Sequence, residues 1–181
     1  MSRFFRLTII FVLVCFLSLL SFENMSLREK ISQNKYAQTK VLFSKEEKID
    51  EALVSEIQQA EKFVYFAVYT MTKENIVNAL IAAKLRGLEV LGVLDFKQVD
   101  IPEEKPWVAK LKKYGVVLKI PQKESGLMHI KMLVTDKAYA SGSFNYTVSA
   151  ASYNDEVLEL GRVEGIRKQY LGIFKRLFES Y

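Results

Sequence analysis

The 181-residue chain has one histidine and one cysteine. A lone Cys15 excludes an intrachain disulfide and a cysteine-based zinc site. With only His129 to add to it, a zinc-dependent catalytic centre is disfavoured as well. The single histidine has a second consequence. A hydrolase that works through a covalent histidine intermediate needs a nucleophile and a general acid. If both are histidines, each active site must draw on two chains. Strong charge bias is also missing: 26 basic against 21 acidic residues leave a net charge of +5. That suits a polyanion such as nucleic acid or an anionic membrane face, and it equally describes a lysine-rich solvated surface. Internal repeats and low-complexity tracts are absent. The length and the half-apolar composition allow one well-buried domain but not two.

The amino terminus carries the one long apolar run. Arg3 and Arg6 precede Leu7–Phe22, interrupted only by Thr8, Cys15, Ser18 and Ser21. Such a run is at the short end for a bilayer-spanning helix, which needs roughly 17–25 residues. It is also at the long end for a signal-peptide core of about 7–15 residues. Ser18, Ser21 and Ser26 are only partial candidates for a small-residue cleavage site. Residues 1–24 therefore read as a signal peptide or an N-terminal membrane anchor. The positive flank predicts a cytoplasmic amino terminus and an exported domain, in the periplasm or on the extracytoplasmic face of the membrane. Residues 25–40 are polar and weakly patterned and read as a tether.

From residue 41 to 181, strand and helix signals alternate. Val41–Ser44, Phe63–Val68, Leu88–Leu94, Val116–Ile120 and Glu156–Leu160 read as strands. Glu46–Lys62, Thr72–Leu85, Trp107–Tyr114 and Glu164–Ser180 read as helices, the second closed by Arg86-Gly87. Leu127–Thr135 and Ala138–Ser141 form a hairpin around Asp136-Lys137. The predicted fold class is α/β, a mixed β-sheet flanked by helices and preceded by the N-terminal hydrophobic segment.

The polar residues that carry chemistry cluster in HIKMLVTDKAYASGSFNYT, which begins at His129. Side chains two apart on a strand share a face. His129 and Lys131 thus project together, while Met128, Ile130 and Met132 face the opposite layer. An imidazole beside an ammonium suits a phosphate: lysine neutralises non-bridging oxygens while histidine attacks phosphorus or protonates the leaving oxygen. Gly142 permits close backbone approach, and Ser143 and Asn145 offer uncharged donors. Asp155 or Glu156, at the next strand signal, can accept the other imidazole N–H. Taken singly these features are commonplace, since a lone strand histidine is usually structural and Gly-Ser-x-Asn is a common turn. Their conjunction within seventeen residues is what points to phosphate chemistry.

His129-x-Lys131-x-x-x-x-Asp136 with Gly142-Ser143-Phe144-Asn145 resembles the signature of the phospholipase D superfamily. The preceding FAVYTMTKENIVNALIAAKLRGLEVLGVLDFKQ is similar to the strand–helix–strand unit of its small single-motif members, the bacterial endonuclease-like and mitochondrial phospholipase D-like proteins. Glu156 matches their downstream acidic position, and the resemblance covers residues 39–181. It implies a half-domain of the phospholipase D/nuclease type, working without metal or cofactor. One histidine attacks phosphorus to give a phosphohistidine, and the histidine of a partner motif protonates the leaving group and then activates water. With His129 alone, this chain follows the plan in which a homodimer supplies both. The resemblance further implies that Lys131 and Asn145 bind phosphate, that Ser143 supports that contact and that Glu156 orients the imidazole. One departure concerns Asp136. The family usually has six residues between the motif Asp and the Gly, and Lys137–Ser141 makes five. We place the change in the turn, where Asp136 serves the turn or a support contact more than the chemistry.

Other residues near the motif carry two readings each. Tyr69 and Thr70 line a cleft or merely end a strand. Asp95-Phe96-Lys97-Gln98 closes another strand, with a structural role expected for the Asp. Lys105, Lys110, Lys112, Lys113, Lys119 and Lys123 form a solvated face or follow a nucleic-acid backbone. Phe144 and Tyr146 could stack on bases, although packing under the loop is the expectation for Phe144. Small size, a single motif, the dimer requirement and the basic stretch together favour a nonspecific endonuclease. The alternatives are a phospholipase D-type headgroup hydrolase, held near its substrate by residues 7–22, and an inactive nucleic-acid- or membrane-binding module.

Overall fold

The computed structural model describes residues 3–121 and 126–181. Lys123 of the basic stretch lies outside the described residues, as do the side chains of Arg3 and Arg6. Two compact units divide the chain, Met1–Gln38 and Thr39–Tyr181.

The first unit is one helix, α1 (Arg3–Ala37). The expected tether over 25–40 is therefore helical through Ala37. The sequence has no Gly before Gly87 and no Pro before Pro102, so nothing breaks the helix, and Glu, Leu, Arg, Lys and Gln all favour it. The described apolar side chains between Ile9 and Phe22 are exposed. Among the described residues, no helix is long and apolar enough to cross a membrane.

The second unit is the predicted α/β layered domain. In chain order it contains β1 (Thr39–Phe43), α2 (Ile49–Gln59), β2 (Phe63–Val68), α3 (Glu74–Leu85), β3 (Glu89–Leu94), α4 (Lys105–Lys113) and β4 (Val117–Lys119). The hairpin β5 (Lys131–Thr135) and β6 (Tyr139–Gly142) follows, then α5 (Val148–Ser152), β7 (Val157–Gly161) and α6 (Glu164–Ser180). The seven strands run in the order β1-β7-β6-β5-β2-β3-β4. Pairs β2·β3 and β3·β4 are parallel, and the remaining pairs are antiparallel.

Both faces of the sheet are covered, which explains why FVYFAV has no polar position. Val64, Phe66 and Val68 join the large core with Leu53 and Ile57 of α2 and Leu80 of α3. Tyr65 and Ala67 face the smaller core built on Phe174 of α6, with Met128, Met132 and Val134. The expected facing of the motif follows from this. Met128 and Met132 are buried in the smaller core with Ile130 packed against it, while Leu133, in phase with Lys131, belongs to the large one.

Most element boundaries shift by one to four residues from the sequence reading, and three differences bear on the site. Helix α2 starts at Ile49 rather than Glu46 because 44–48 is a turn. There the Glu47 carboxylate accepts the Phe43 N–H at 2.8 Å, and Ser44 Oγ donates to Asn154 O at 2.7 Å. Strand β5 begins at Lys131, so Leu127–Ile130 is extended chain outside the sheet. A short helix, α5, follows the motif; Thr147 caps it by accepting the Ala150 N–H at 3.1 Å.

Candidate active site

Strands β2 and β3 run parallel, and their carboxyl ends meet the start of β5, where Val68 pairs with Lys131. Segments that follow strands at such an edge are free of ladder bonds and can present side chains. His129, two residues before β5, has an exposed side chain. Its ring packs on Tyr69, with centroids 4.8 Å apart and planes inclined at 59°. Lys131 is buried instead. Its Nζ donates to the carbonyl of His129 at 2.9 Å and lies 5.2 Å from the Tyr69 ring centroid. Burial lowers the Lys131 pKa from 10.5, and the negative charge of Glu156 partly opposes that shift.

Glu156 is buried and lies just before β7. It accepts a short hydrogen bond from Ser143 Oγ and one from Asn154 Nδ2 at 3.0 Å. Its backbone N–H donates to Ser44 Oγ at 2.9 Å. The carboxylate thus organises Ser143 and faces Lys131, and among the described residues its hydrogen bonds do not run to the imidazole. Asn145 carries a buried Oδ1 with no hydrogen-bond partner among the described residues. Unspent capacity of that kind is costly unless a ligand uses it.

Five of the six candidate residues therefore collect at one place, with Ser143, Asn145 and Glu156 joining His129 and Lys131 through the Glu156–Ser143 bond and the Gly142–Tyr146 loop. Asp136 does not join them. It sits past the far end of β5, on the order of 16 Å along the strand from Lys131 at ~3.3 Å per residue. Its Oδ1 accepts the N–H groups of Glu61 and Lys62 at 3.1 and 3.2 Å. Burial alone would raise its pKa, but these and neighbouring backbone N–H groups outweigh burial and lower it. The hairpin closes tightly beside it, with Thr135 N–H donating to Ala138 O at 2.8 Å. The β5–β6 pairing runs in regular register, with Met132, Leu133 and Val134 opposite Ser141, Ala140 and Tyr139.

Gly142 is required by close approach, though to protein rather than to phosphate. A Cβ there would lie 2.1 Å from Val157 O. Phe144 and Tyr146 are both buried, and Tyr146 donates to Met132 O at 3.0 Å, so neither presents a face to a base. The stacking reading of Tyr146 is thus corrected: the loop is tied down by Tyr146 O, which accepts the N–H groups of Thr72 and Lys73. Of the basic stretch, Lys110 donates to Asn78 Oδ1 and lies over Trp107, while Lys119 lies over Phe178.

Asp95 is buried and structural, as expected. Its Oδ2 accepts the Met128 N–H at 3.0 Å, which anchors the chain one residue before His129. Residues whose site contacts the sequence did not reveal include Ser44, Asn154 and Gln98. Gln98 Nε2 donates to Tyr69 Oη at 3.0 Å, and its Oε1 accepts from Thr70 Oγ1 at 3.1 Å. The only signal for Gln98 was its place just beyond a strand end. Among the described residues, no group of three or more His, Cys, Asp or Glu side chains could hold a metal ion.

A family model described as "Cardiolipin synthase, PLD-like domain" matches residues 53–178, well over half of the chain. The chain belongs to the phospholipase D superfamily. A phospholipase D from Rickettsia prowazekii is 32% identical over 121 residues, covering 66% of this chain and 57% of that protein. A mitochondrial cardiolipin hydrolase from Xenopus laevis is 28% identical over 130 residues, covering 71% and 60%. The match thus spans somewhat more than half the length of these superfamily relatives. Among solved structures, Nuc from Salmonella typhimurium, described as a phospholipase D family member, superposes with a TM-score of 0.72 at 23% identity, covering 78% of this chain and 93% of Nuc. NucT from Helicobacter pylori gives 0.71 at 22% identity, covering 79% and 96%. At such identities these superpositions establish the shared superfamily fold.

Proposed function

We propose that this protein is a metal-independent phosphodiester hydrolase acting through a phosphohistidine on His129, at a site completed by a second copy of the chain. The observation that carries the reading is the arrangement at one sheet edge: an exposed imidazole, a buried ammonium at Lys131 and the Ser143–Glu156 pair, with Asn145 on the same loop offering its Nδ2 as donor. His129 attacks phosphorus while Lys131 and Asn145, with Ser143 behind them, hold the non-bridging oxygens. His129 of the partner subunit protonates the leaving oxygen and then takes a proton from the water that releases phosphate from the first imidazole. Glu156 keeps Ser143 and Lys131 in place.

Nucleic acid is the proposed substrate, which makes the enzyme a nonspecific endonuclease. The net charge of +5 and the lysines closing α4 support it. Phospholipid headgroup hydrolysis is the second reading, and a specific observation favours it. Leu127 is 57% exposed beside the motif, and Phe96, next to Asp95, opens an apolar pocket lined by Val99, Val108 and Ile120. Residues 7–22, an almost unbroken apolar run, are proposed as the export signal or anchor that puts the domain on the extracytoplasmic side.

The test uses the full chain in excess EDTA with His129→Ala as control. Labelled single- and double-stranded DNA are incubated beside phosphatidylcholine and cardiolipin vesicles. The expected result is DNA cleavage that disappears in the variant; headgroup release with intact DNA would replace the nuclease by the lipid reading. A strictly monomeric protein with full activity would sink the shared site. Mixed dimers of wild type with His129→Ala are expected to lose the two-histidine chemistry.

A further inference from the structure

His129 stands on Leu127–Ile130, a segment without strand pairing, and its side chain is exposed. A rotamer in such a place is not set by its own backbone. What the imidazole does meet is the ring of Tyr69, at 4.8 Å, and the same ring lies 5.2 Å from the ammonium of Lys131. Tyr69 is the first residue after β2, and its hydroxyl is held by Gln98. The Gln98 amide spends its donor on Tyr69 and its acceptor on Thr70. The carbonyl of Thr70 in turn accepts the Tyr146 N–H at 3.1 Å, which ties the clamp to the Gly142–Tyr146 loop. Three segments that bring site residues together therefore converge on this one side-chain pair.

We propose that Tyr69, held by Gln98, is the positioning residue of the site: its ring is the surface on which the His129 imidazole and the Lys131 ammonium are set for one phosphate. The inference rests on reading His129 as the reacting group. An aromatic face attracts a cation, so it holds the Lys131 ammonium, and the same ring packs against the imidazole. Among the described residues no hydrogen bond holds the imidazole in place of the ring, and a displacement of about 1 Å at a reacting group costs on the order of a hundredfold in rate.

The full chain with Tyr69→Ala, Tyr69→Phe, Gln98→Ala and His129→Ala is assayed on bis(p-nitrophenyl) phosphate for kcat and KM. Because the chain has one histidine, its imidazole proton resonances are followed without ambiguity, and they report the ring current of Tyr69. Tyr69→Ala is expected to lose about 10- to 100-fold in kcat with KM changed by less than about threefold. Its imidazole resonances move toward those of free histidine. Tyr69→Phe keeps the ring but loses the Gln98 hydrogen bond, so it and Gln98→Ala both fall between Tyr69→Ala and wild type in kcat. A folded Tyr69→Ala with kcat within about twofold of wild type, or with unmoved imidazole resonances, overturns the inference. If Tyr69→Ala does not fold, Gln98→Ala decides on the same two readouts. Activity surviving in His129→Ala would instead overturn the proposed function. Loss there with wild-type kcat in Tyr69→Ala overturns this inference alone.

Discussion

Glu104 is fully buried at the start of α4, and both of its carboxyl oxygens lack a well-formed hydrogen bond among the described residues. Burial pushes its pKa up from 4.5 to about 7; the Met71 backbone opposes that shift, and the negative charge of Asp95 adds a lesser push in the same direction as burial. In the unfolded chain the carboxyl ionises near its ordinary value. Between these midpoints the folded state binds the proton that the unfolded state has lost, so stability falls as pH rises from about 4.5 to about 7. At ~1.4 kcal/mol per tenfold change in proton affinity, ionised Glu104 destabilises the fold by up to about 3 kcal/mol above that window. Glu104→Gln keeps the volume and removes the titration. Urea unfolding of both proteins at pH 4, 5, 6, 7 and 8 is expected to give nearly equal stabilities at pH 4. The variant then gains steadily, to an advantage of about 2–3 kcal/mol at pH 8. Groups away from Asp95 titrate alike in the two proteins, so the difference isolates Glu104 together with its coupling to Asp95. A pH-independent difference would refute the reasoning.

Three further outcomes follow from the geometry. Asp136→Ala removes the acceptor of the Glu61 and Lys62 N–H groups and is expected to cost ~1–3 kcal/mol in stability while kcat stays within about threefold. The Asp136 pKa is lowered, so the penalty is present above the ordinary carboxylate midpoint and shrinks as pH falls through the folded one. A hundredfold loss of kcat at unchanged stability would return Asp136 to the chemistry. Gly142→Ala drives a methyl into Val157 O; thermal unfolding is expected several degrees lower, together with at least a tenfold loss of kcat as Ser143 shifts. An alanine variant with native melting and turnover would show that β6 and β7 can part without consequence. The Lys131 pKa is lowered by burial, so KM should rise with pH at a midpoint below 10.5, and Lys131→Arg, which keeps its charge, should flatten that limb. An unchanged limb in the arginine variant would remove Lys131 from phosphate binding.

Strands were legible where burial on both faces leaves an unbroken apolar run, as in Phe63–Val68, and helices where an apolar stripe recurs at helical spacing. Boundaries failed where a side chain from far along the chain competes with the local pattern. Residues 44–48 look helical in isolation, but Ser44 is claimed by Asn154 and Glu156, more than a hundred residues away. At 25–37, read as a weakly patterned tether, the chain is helical, and no Gly or Pro interrupts it. Tyr146 was weighed as a stacking surface because an aromatic beside a polar motif has no visible partner in the sequence. Its hydroxyl in fact reaches Met132 O through the core.

The sequence by itself determined the alternating architecture, the family and the composition of the site, because periodicity and the spacing of His129, Lys131, Ser143, Asn145 and Glu156 are local properties of the chain. Its single histidine is also what motivates the proposal of a site shared between two chains. Only the tertiary structure decided what stands around His129. The ends of β2 and β3 are brought to the start of β5 by strand pairing, and that pairing sets Tyr69 against the imidazole, Gln98 against Tyr69 and Asp95 against the Met128 N–H. Asp136 was separated from the site by the same means, since a strand carries its two ends to opposite edges of a sheet. Contacts of this kind depend on register and burial, which arise when distant segments pack and are not encoded in any one of them.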